Sequence, residues 1–444
     1  MRAFFWEQVP PSYDGIVQRD DWVHMETCGK FRSRAALTSL LPDKETDMRH
    51  FSRPVIAAMT SYLLCIGSVN AQVKVGVLND QTGPLSALSG PGSVAAAKLA
   101  IEDAGTVLGR PAVLVVGDHT NKPDVGAGIA RRWYDVEGVT AVFDIYSSGV
   151  ALAVQKVTAE KDRILVTTSS SRDLTGKACT ANSFHWANDG YQIANLALKG
   201  SGGTAPTSWF FLTVDYAAGH GAELDARTMI EAAKGTFVGS TRFPLGSPDF
   251  SSYVLQAQAS KAKNVGFIGG GADVINATKQ IVEFGLQNDG QRYVPFTLTT
   301  EDVYSLGSKT AAGLPVILTY YWEEGTPGKA FADRFKKATG RMPTDPQANV
   351  YSAVLHYLKA VKSAGSTETK AVIAKMKATP VDDFFTAGAK IRDDGRLMRS
   401  TYYAIAKAPA DMKNPDDLLK IVKKYSGEES YMPVSLSECP LLKK

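Results

Sequence analysis

From Val73 onward the chain alternates short apolar runs with amphipathic stretches, and this alternation limits the fold more than any other feature. VKVGVLN (73–79), AVLVV (112–116), TAVFDIY (140–146) and ILVTT (164–168) are short, rich in β-branched residues and apolar throughout, the pattern of strands covered on both faces. Between them, SVAAAKLAIEDAG (93–105) places Val94, Ala97, Ala100 and Ile101 at helical spacing. The stretch from Pro123 to Glu137 puts Val125, Ile129 and Trp133 on one face, and VALAVQKVTAEK (150–161) supplies a third helix. Strands and helices in strict alternation predict parallel βαβ units.

The layout then repeats. WFFLTV (209–214), FVGSTRF (237–243), VGFIG (265–269) and YVPFTLT (293–299) are predicted strands, with helices from about Gly221 to Ala233, from Asp249, and from about Asp273 to Phe284. This gives two α/β lobes. A third section opens with the strand PVILTYYW (315–322) and continues with helices around Ala330 to Ala338, Pro346 to Ser363 and Thr369 to Lys377. It closes with AKIRDDGRLMRSTYYAIAK (389–407), a predicted hairpin turning at Asp394-Gly395.

Hydrophobic residues make up 44% and charged residues 21% of the 444 residues, enough apolar surface for sizeable cores and too little bias for a disordered or low-complexity chain. Lys+Arg 49 against Asp+Glu 45 leaves a net charge of +4, too small and too dispersed to track a phosphate backbone, so nucleic acid is not an expected partner.

The first 71 residues fall outside the alternating pattern. Met48-Arg49-His50-Phe51-Ser52-Arg53 is a short basic stretch, the run PVIAAMTSYLLCIGSV (54–69) is apolar, and Val69-Asn70-Ala71 ends in a small residue. That is the layout of a cleaved secretory signal peptide over 48–71. The alternative, a permanent anchor, is disfavoured because 16 apolar residues fall short of the roughly 20 needed to cross a bilayer. Cys65 follows Leu64, where lipoprotein processing requires a small side chain. Residues 1–47 lie upstream of this start and are expected to be a spurious extension, a start codon assigned too early. Export leaves Cys179 and Cys439 as an even pair in an oxidising compartment, and a disulfide between them is expected, the alternative being two unrelated thiols.

The motifs of catalysis are not found. His119, His185, His220 and His356 form neither HxH nor HExxH, and no GxSxG, CxxC or GxxxxGK[ST] occurs. Gly90-Pro91-Gly92-Ser93-Val94-Ala95 fits GxGxxA, but its first glycine lies eleven residues past the strand end at Asn79 instead of in the tight turn a dinucleotide site requires. It is expected to be a flexible loop leading to a helix. No catalytic residue, cofactor or metal is expected.

Hydroxyls are concentrated at two strand ends. Tyr146-Ser147-Ser148 and Ser169-Ser170-Ser171 each follow a strand and precede a helix or turn. Ligands of parallel sheets bind beyond these carboxyl ends, where free helix N–H groups favour a carboxylate. The bland alternative is capping and turn serines.

In order and spacing, VKVGVLNDQTGPLSALSGPGSVAAAKLAIED, NKPDVGAGIARRWYDVEGVTAVFD, SPDFSSYVLQAQASKAKNVGFIGGG and PTDPQANVYSAVLHYLKA resemble the periplasmic substrate-binding proteins of ABC importers, of the branched-chain amino acid (leucine/isoleucine/valine) type. The likeness runs from Gln72 to about Lys407. The TGKAC loop, the segment Asp215 to His220 and the C-terminal CPL are more similar to a branch that binds aromatic carboxylates. The resemblance implies a periplasmic-binding-protein type I fold, two Rossmann-like lobes joined by a three-crossover hinge at about Trp186 to Asp189, Thr319 to Trp322 and Arg396 to Arg399. The expected divisions are 72–188 plus 319–398 for lobe one and 189–318 plus 399–444 for lobe two.

The resemblance also implies site residues. Ser147 matches the serine that binds the ligand carboxylate, with Ser169 and Ser171 flanking it and Ser148 and Ser170 completing the clusters. Glu301 matches an acid that holds a ligand ammonium, whereas Ala218 and Gly271 stand where amino-acid binders carry tyrosines. Trp186, Tyr191, Tyr216, Tyr320 and Tyr321 are candidate aromatic walls or hinge-packing residues, and Asp273 is either a helix cap or a ligand partner. The implied function is a monomeric periplasmic protein that captures a small carboxylate or amino acid and delivers it to a membrane permease. The rival is a ligand-sensing domain of the same fold. An enzyme would have only Asp273 with Glu301 as an acid/base pair.

Overall fold

In a computed structural model of the chain, residues 72–202, 206–286 and 290–442 are described. The expected signal peptide 48–71 and the upstream residues 1–47 lie outside the described residues. The first sheet has the order β4-β1-β5-β6-β7, all parallel, built from β1 (Lys74–Asn79), β4 (Val113–Asp118), β5 (Ala141–Asp144), β6 (Ile164–Thr167) and β7 (Ser183–His185). A two-residue ribbon, β2 (Thr106–Val107) with β3 (Arg110–Pro111), joins α1 (Gly90–Ala104) to β4. Val75 pairs with Leu114 on one side and Ala141 on the other, so β1 is central and the strand order reverses between β1 and β5.

Helices α2 (Pro123–Arg132) and α3 (Ser148–Glu160) pack together beside this sheet. The predicted helix over 123–137 is α-helical only to Arg132. A π-turn over Trp133–Glu137 follows and carries the Trp133 ring under the sheet. There the ring lies against Gly76 and Gly117, where added Cβ atoms would stand 2.4 and 2.8 Å from it. Only glycine leaves that space.

The second sheet repeats the plan: β8 (Ser208–Val214), β9 (Thr236–Phe243), β10 (Asn264–Ile268) and β11 (Arg292–Pro295) lie parallel in the order β11-β10-β8-β9, and the order reverses between β8 and β10. Helices α4 (Gly190–Gly200), α5 (Ala217–Ala232), α6 (Ser251–Ala259), α7 (Ala272–Glu283), α8 (Thr300–Leu306) and the short α9 (Ser308–Ala311) belong to this lobe. The chain then returns to the first lobe through α10 (Thr326–Thr339), α11 (Asp345–Ala364) and α12 (Thr369–Ala378). Helix α11 is buried over almost its whole length, as an apolar helix between α1 and α12 must be, and its start is fixed by a capping box of Thr344 and Gln347.

Several sequence expectations need correction. The Gly90-Pro91-Gly92 segment is no loop: α1 begins at Gly90, with its carbonyl accepting from Asn79 Nδ2 at 2.9 Å. The strand expected over 315–322 stops at Leu318 (β12, Pro315–Leu318), because Asp345 takes the N–H groups of Thr319 and Tyr320, each at 2.8 Å, and turns the chain. The strand expected over 293–299 ends at Pro295.

The hairpin predicted over 389–407 shrinks to β13 (Lys390–Ile391) and β14 (Leu397–Met398). Its apolar second half, β15 (Thr401–Ala406), lies between β12 and β16 (Leu419–Tyr425) in an antiparallel sheet that covers it on both edges. A last short helix, α13 (Gly427–Ser430), docks on α4.

Three chain segments connect the lobes: His185 to Gly190, Leu318 to Thr326, and Met398 to Thr401. Buried side chains tie them together. Arg396, fully buried, donates to Ala187 O and Asp189 Oδ2, contacts His185 Nδ1, and lies over the Tyr431 ring. Arg399 donates to Trp186 O at 3.2 Å. Among the described residues, no helix is long and apolar enough to cross a membrane.

Candidate ligand-binding cleft

The carboxyl ends of the two sheets face each other. At the end of β5, Asp144 and Ile145 both have positive φ, 79° and 56°, a strained turn for non-glycine residues that surrounding contacts must hold. Asp144 supplies those contacts: its buried carboxylate accepts from Asn79 Nδ2 at 2.9 Å and from Thr168 Oγ1, tying the ends of β1, β5 and β6 together. Burial pushes its pKa up, and the hydrogen bonds oppose that. The turn aims Tyr146 into the cleft and leaves Ser147 as the N-cap of α3.

Two small adjoining cavities lie between the lobes and share Tyr146, Ile193 and Thr297. Ser170, Val214, Tyr216 and Ile268 wall the first, at the reversal points of both sheets. Asn188, Phe296, Leu298 and Asp345 wall the second, against the hinge. Neither is lined by a lysine, arginine or histidine. The only carboxylate in these walls is Asp345, already accepting from Thr319 N, Thr319 Oγ1, Tyr320 N and Asn188 Nδ2.

Of the site residues expected from sequence, the structure brings Ser170 and Tyr216 together in the cavity wall, one from each lobe. The Tyr216 hydroxyl bonds the Ser170 side chain, and burial raises its pKa to about 12. The other serines stand behind this wall. Ser147 Oγ donates to Asn121 Oδ1 at 2.5 Å, Ser169 Oγ donates to Ser148 Oγ at 3.3 Å and accepts from Ser171 N at 3.2 Å, and Ser171 Oγ is buried without a partner.

Asp273 lies in the first turn of α7, buried beside Tyr216. Its Oδ2 accepts from Gly246 N at 3.1 Å, its Oδ1 is unpartnered, and burial raises its pKa to about 6. Trp186 is fully buried in the hinge, donating to Ser352 Oγ at 2.9 Å and packing on His356. Glu301 lies outside both cavity walls, paired with Arg341 at 3.0 Å. Cys179 and Cys439 are joined, their Cα atoms 5.7 Å apart.

Tyr146 was singled out with its serine neighbours, whereas Asn188, Ile193, Phe296 and Thr297 were missed by sequence reasoning. The signal for Thr297 was there, since it follows a strand at the carboxyl end of a parallel sheet. The others become visible only when the lobes meet. That meeting is close: Gly271, at φ 62°, leaves only 2.9 Å between an added Cβ and the carbonyl of Pro84 in the opposite lobe. Among the described residues, no group of His, Cys, Asp and Glu is arranged to hold a metal ion.

Comparison with known proteins agrees with this architecture. A Leu/Ile/Val-binding protein homolog 3 of Brucella melitensis is 25% identical over 69% of this chain and 83% of its own. A periplasmic binding protein of Burkholderia mallei, solved by crystallography, is 34% identical, covers 84% of this chain and 99% of its own, and superposes with a TM-score of 0.80. A branched chain amino acid ABC transporter periplasmic ligand-binding protein of Burkholderia xenovorans is 37% identical over 83% of this chain and 100% of its own, with a TM-score of 0.75. All three are named as binding proteins and none as an enzyme. The family profile described as periplasmic binding protein matches residues 72–411, and the chain belongs to that family.

Proposed function

We propose that the chain is an extracytoplasmic solute receptor that closes on a small carboxylate with an apolar or aromatic body and hands it to the membrane permease of an ABC importer. It acts in the periplasm as a monomer, after cleavage of the signal peptide 48–71. The lobe of 72–188 and 319–398 closes against that of 189–318 and 399–444.

The observation that carries this reading is the character of the cleft. Its walls combine apolar and aromatic groups with Tyr146, Ser170 and Tyr216, and the one carboxylate in them is already taken; Asp273, with one oxygen unpartnered, is outside the lining, and burial favours its neutral form. Asp345 is saturated and Glu301 is held by Arg341. Hydroxyls and helix N–H groups suit a carboxylate.

The test is a thermal-shift screen of the chain from Gln72, refolded to remove carried-over ligand, against aromatic and aliphatic carboxylates and α-amino acids. A ligand at about 100 times its Kd adds about 2.7 kcal/mol, a readily visible shift. Stabilisation by carboxylates lacking an amino group is expected. Stabilisation by α-amino acids alone would overturn the ligand class, and silence across the panel would overturn the receptor reading for both.

A further inference from the structure

No cation lines the cleft cavities, yet an arginine stands directly behind the second serine cluster. Arg172 follows Ser171, opens the 3-10 turn Arg172–Leu174 of the first lobe, and reaches across to Asp225 on α5 of the second. The two side chains are in direct contact and are only 18% and 7% exposed. The stem of Arg172 lies on Gly221, one turn before Asp225, where an added Cβ would come within 3.2 Å of its Cγ and Cδ. The second oxygen of Asp225, Oδ2, is buried with no partner.

The other charged or titratable groups around the pair are Asp189 and Tyr191 at the start of α4, Asp173 beside Arg172, and Glu438, whose carboxylate is 3.7 Å from Arg172. A second ion pair spans the lobes, Arg341 with Glu301, but Arg341 is 59% exposed. The two pairs differ physically: an exposed pair contributes little, whereas a buried carboxylate that loses its partner is strongly destabilising.

We propose that Arg172 is a positioning residue for ligand capture: closure buries the Asp225 carboxylate, and Arg172, carried on the loop of Ser170, neutralises it, so that closure and retention depend on Arg172 wherever Asp225 is charged. Opening the hinge separates the two groups and returns both to water. Burial of Asp225 outweighs the pull of Arg172 and raises its carboxyl pKa to about 7. The pair is therefore costly to close, and its two members are not equivalent. Removing the arginine leaves a buried charge; removing the carboxylate leaves a cation that can turn toward Glu438 and solvent.

This inference rests on the receptor reading above, and the experiment separates the two. Arg172→Gln, Arg172→Lys, Asp225→Asn, the double variant Arg172→Gln/Asp225→Asn and Arg341→Gln are made in the chain from Gln72. Each is measured by small-angle scattering without ligand and by the dissociation rate of benzoate as probe. Arg172→Gln is expected to widen the ligand-free envelope and to speed benzoate release at least about tenfold, the scale of an unpaired buried charge. Asp225→Asn and Arg341→Gln should stay within about threefold, as should Arg172→Lys, because it keeps the charge. The double variant should recover most of the loss.

A double variant as impaired as Arg172→Gln would mean the arginine only supports its own loop, and would overturn the proposal, as would an Arg172→Gln protein with native scattering and release. If benzoate fails to bind the native chain, the ligand reading fails on that probe, and the scattering of the single and double variants still decides the latch.

Discussion

Replacing Cys179 and Cys439 by serine tests how the C-terminal tail is held. The bridge joins residues 260 apart in sequence, and the chain-entropy relation for a loop of that size gives ~5.5 kcal/mol of stabilisation, through the unfolded state. The folded tail has other anchors: Asn195 Nδ2 donates to the carbonyls of Glu429 and Ser430, Arg392 donates to Met432 O at 2.7 Å, and Tyr431 is buried beneath Arg396. These contacts survive the substitution, so the folded protein should keep its structure and its ligand response while the unfolded chain gains freedom. At ~2 °C per kcal/mol for a chain of this length, the expected fall in Tm is ~10 °C. Denaturant titration should also show a steeper m-value, because the unlinked chain exposes more surface on unfolding. An unchanged midpoint and m-value would refute the entropic argument. A lower midpoint with lost ligand response would show instead that the bridge shapes the folded cleft.

Ser170→Ala and Tyr216→Phe should each weaken carboxylate binding about tenfold, the cost of one hydrogen bond to a charged group; isothermal titration measures it, and native affinity in both would place the ligand elsewhere. Ligand retention should strengthen on acidification. Asp225, raised by burial from 3.8 to about 7 in the closed protein, favours closure below its ordinary pKa, and that contribution is lost as pH rises through about 7. Stopped-flow release rates should therefore be slower at pH 5 than at pH 8. Asp225→Asn should flatten the upper part of that profile, leaving the part due to Asp273, which is raised to about 6. Gly76→Ala drives a Cβ to 2.4 Å from the Trp133 ring and should destabilise the first lobe by about 1 to 3 kcal/mol, measured by chemical denaturation.

The lobes were legible because parallel strands, covered on both faces, announce themselves as continuous apolar runs, and β1, β5, β6 and β10 are nearly solid with buried residues. Strand β16 was not, because Lys420, Lys423 and Lys424 project from an exposed edge and break the pattern. The start of α1 was hidden by Gly-Pro-Gly, which suggests a loop until Asn79 is seen holding the Gly90 carbonyl. The serine clusters could be found because their place at strand ends is a property of topology. The pairing of Glu301 with Arg341, the hinge burial of Trp186 and the contact of Arg172 with Asp225 depend on how the lobes meet, and no local pattern encodes that.

A cleft without a lining cation also suits release. A carboxylate held by a fixed arginine would keep a strong Coulombic partner after the lobes part, because that charge belongs to one lobe. Hydroxyls and helix N–H groups hold an anion well only when water is excluded and the opposing wall is in place, since in water they compete with a solvent that serves the anion equally well. Ser170 and Tyr216 come from opposite lobes and stand together in the cavity wall. On the proposed reading, affinity is then a property of the closed state. A permease that draws the lobes apart removes the donor set, the dry environment and the Arg172 latch in one movement, and the ligand is left with no residual charge to hold it.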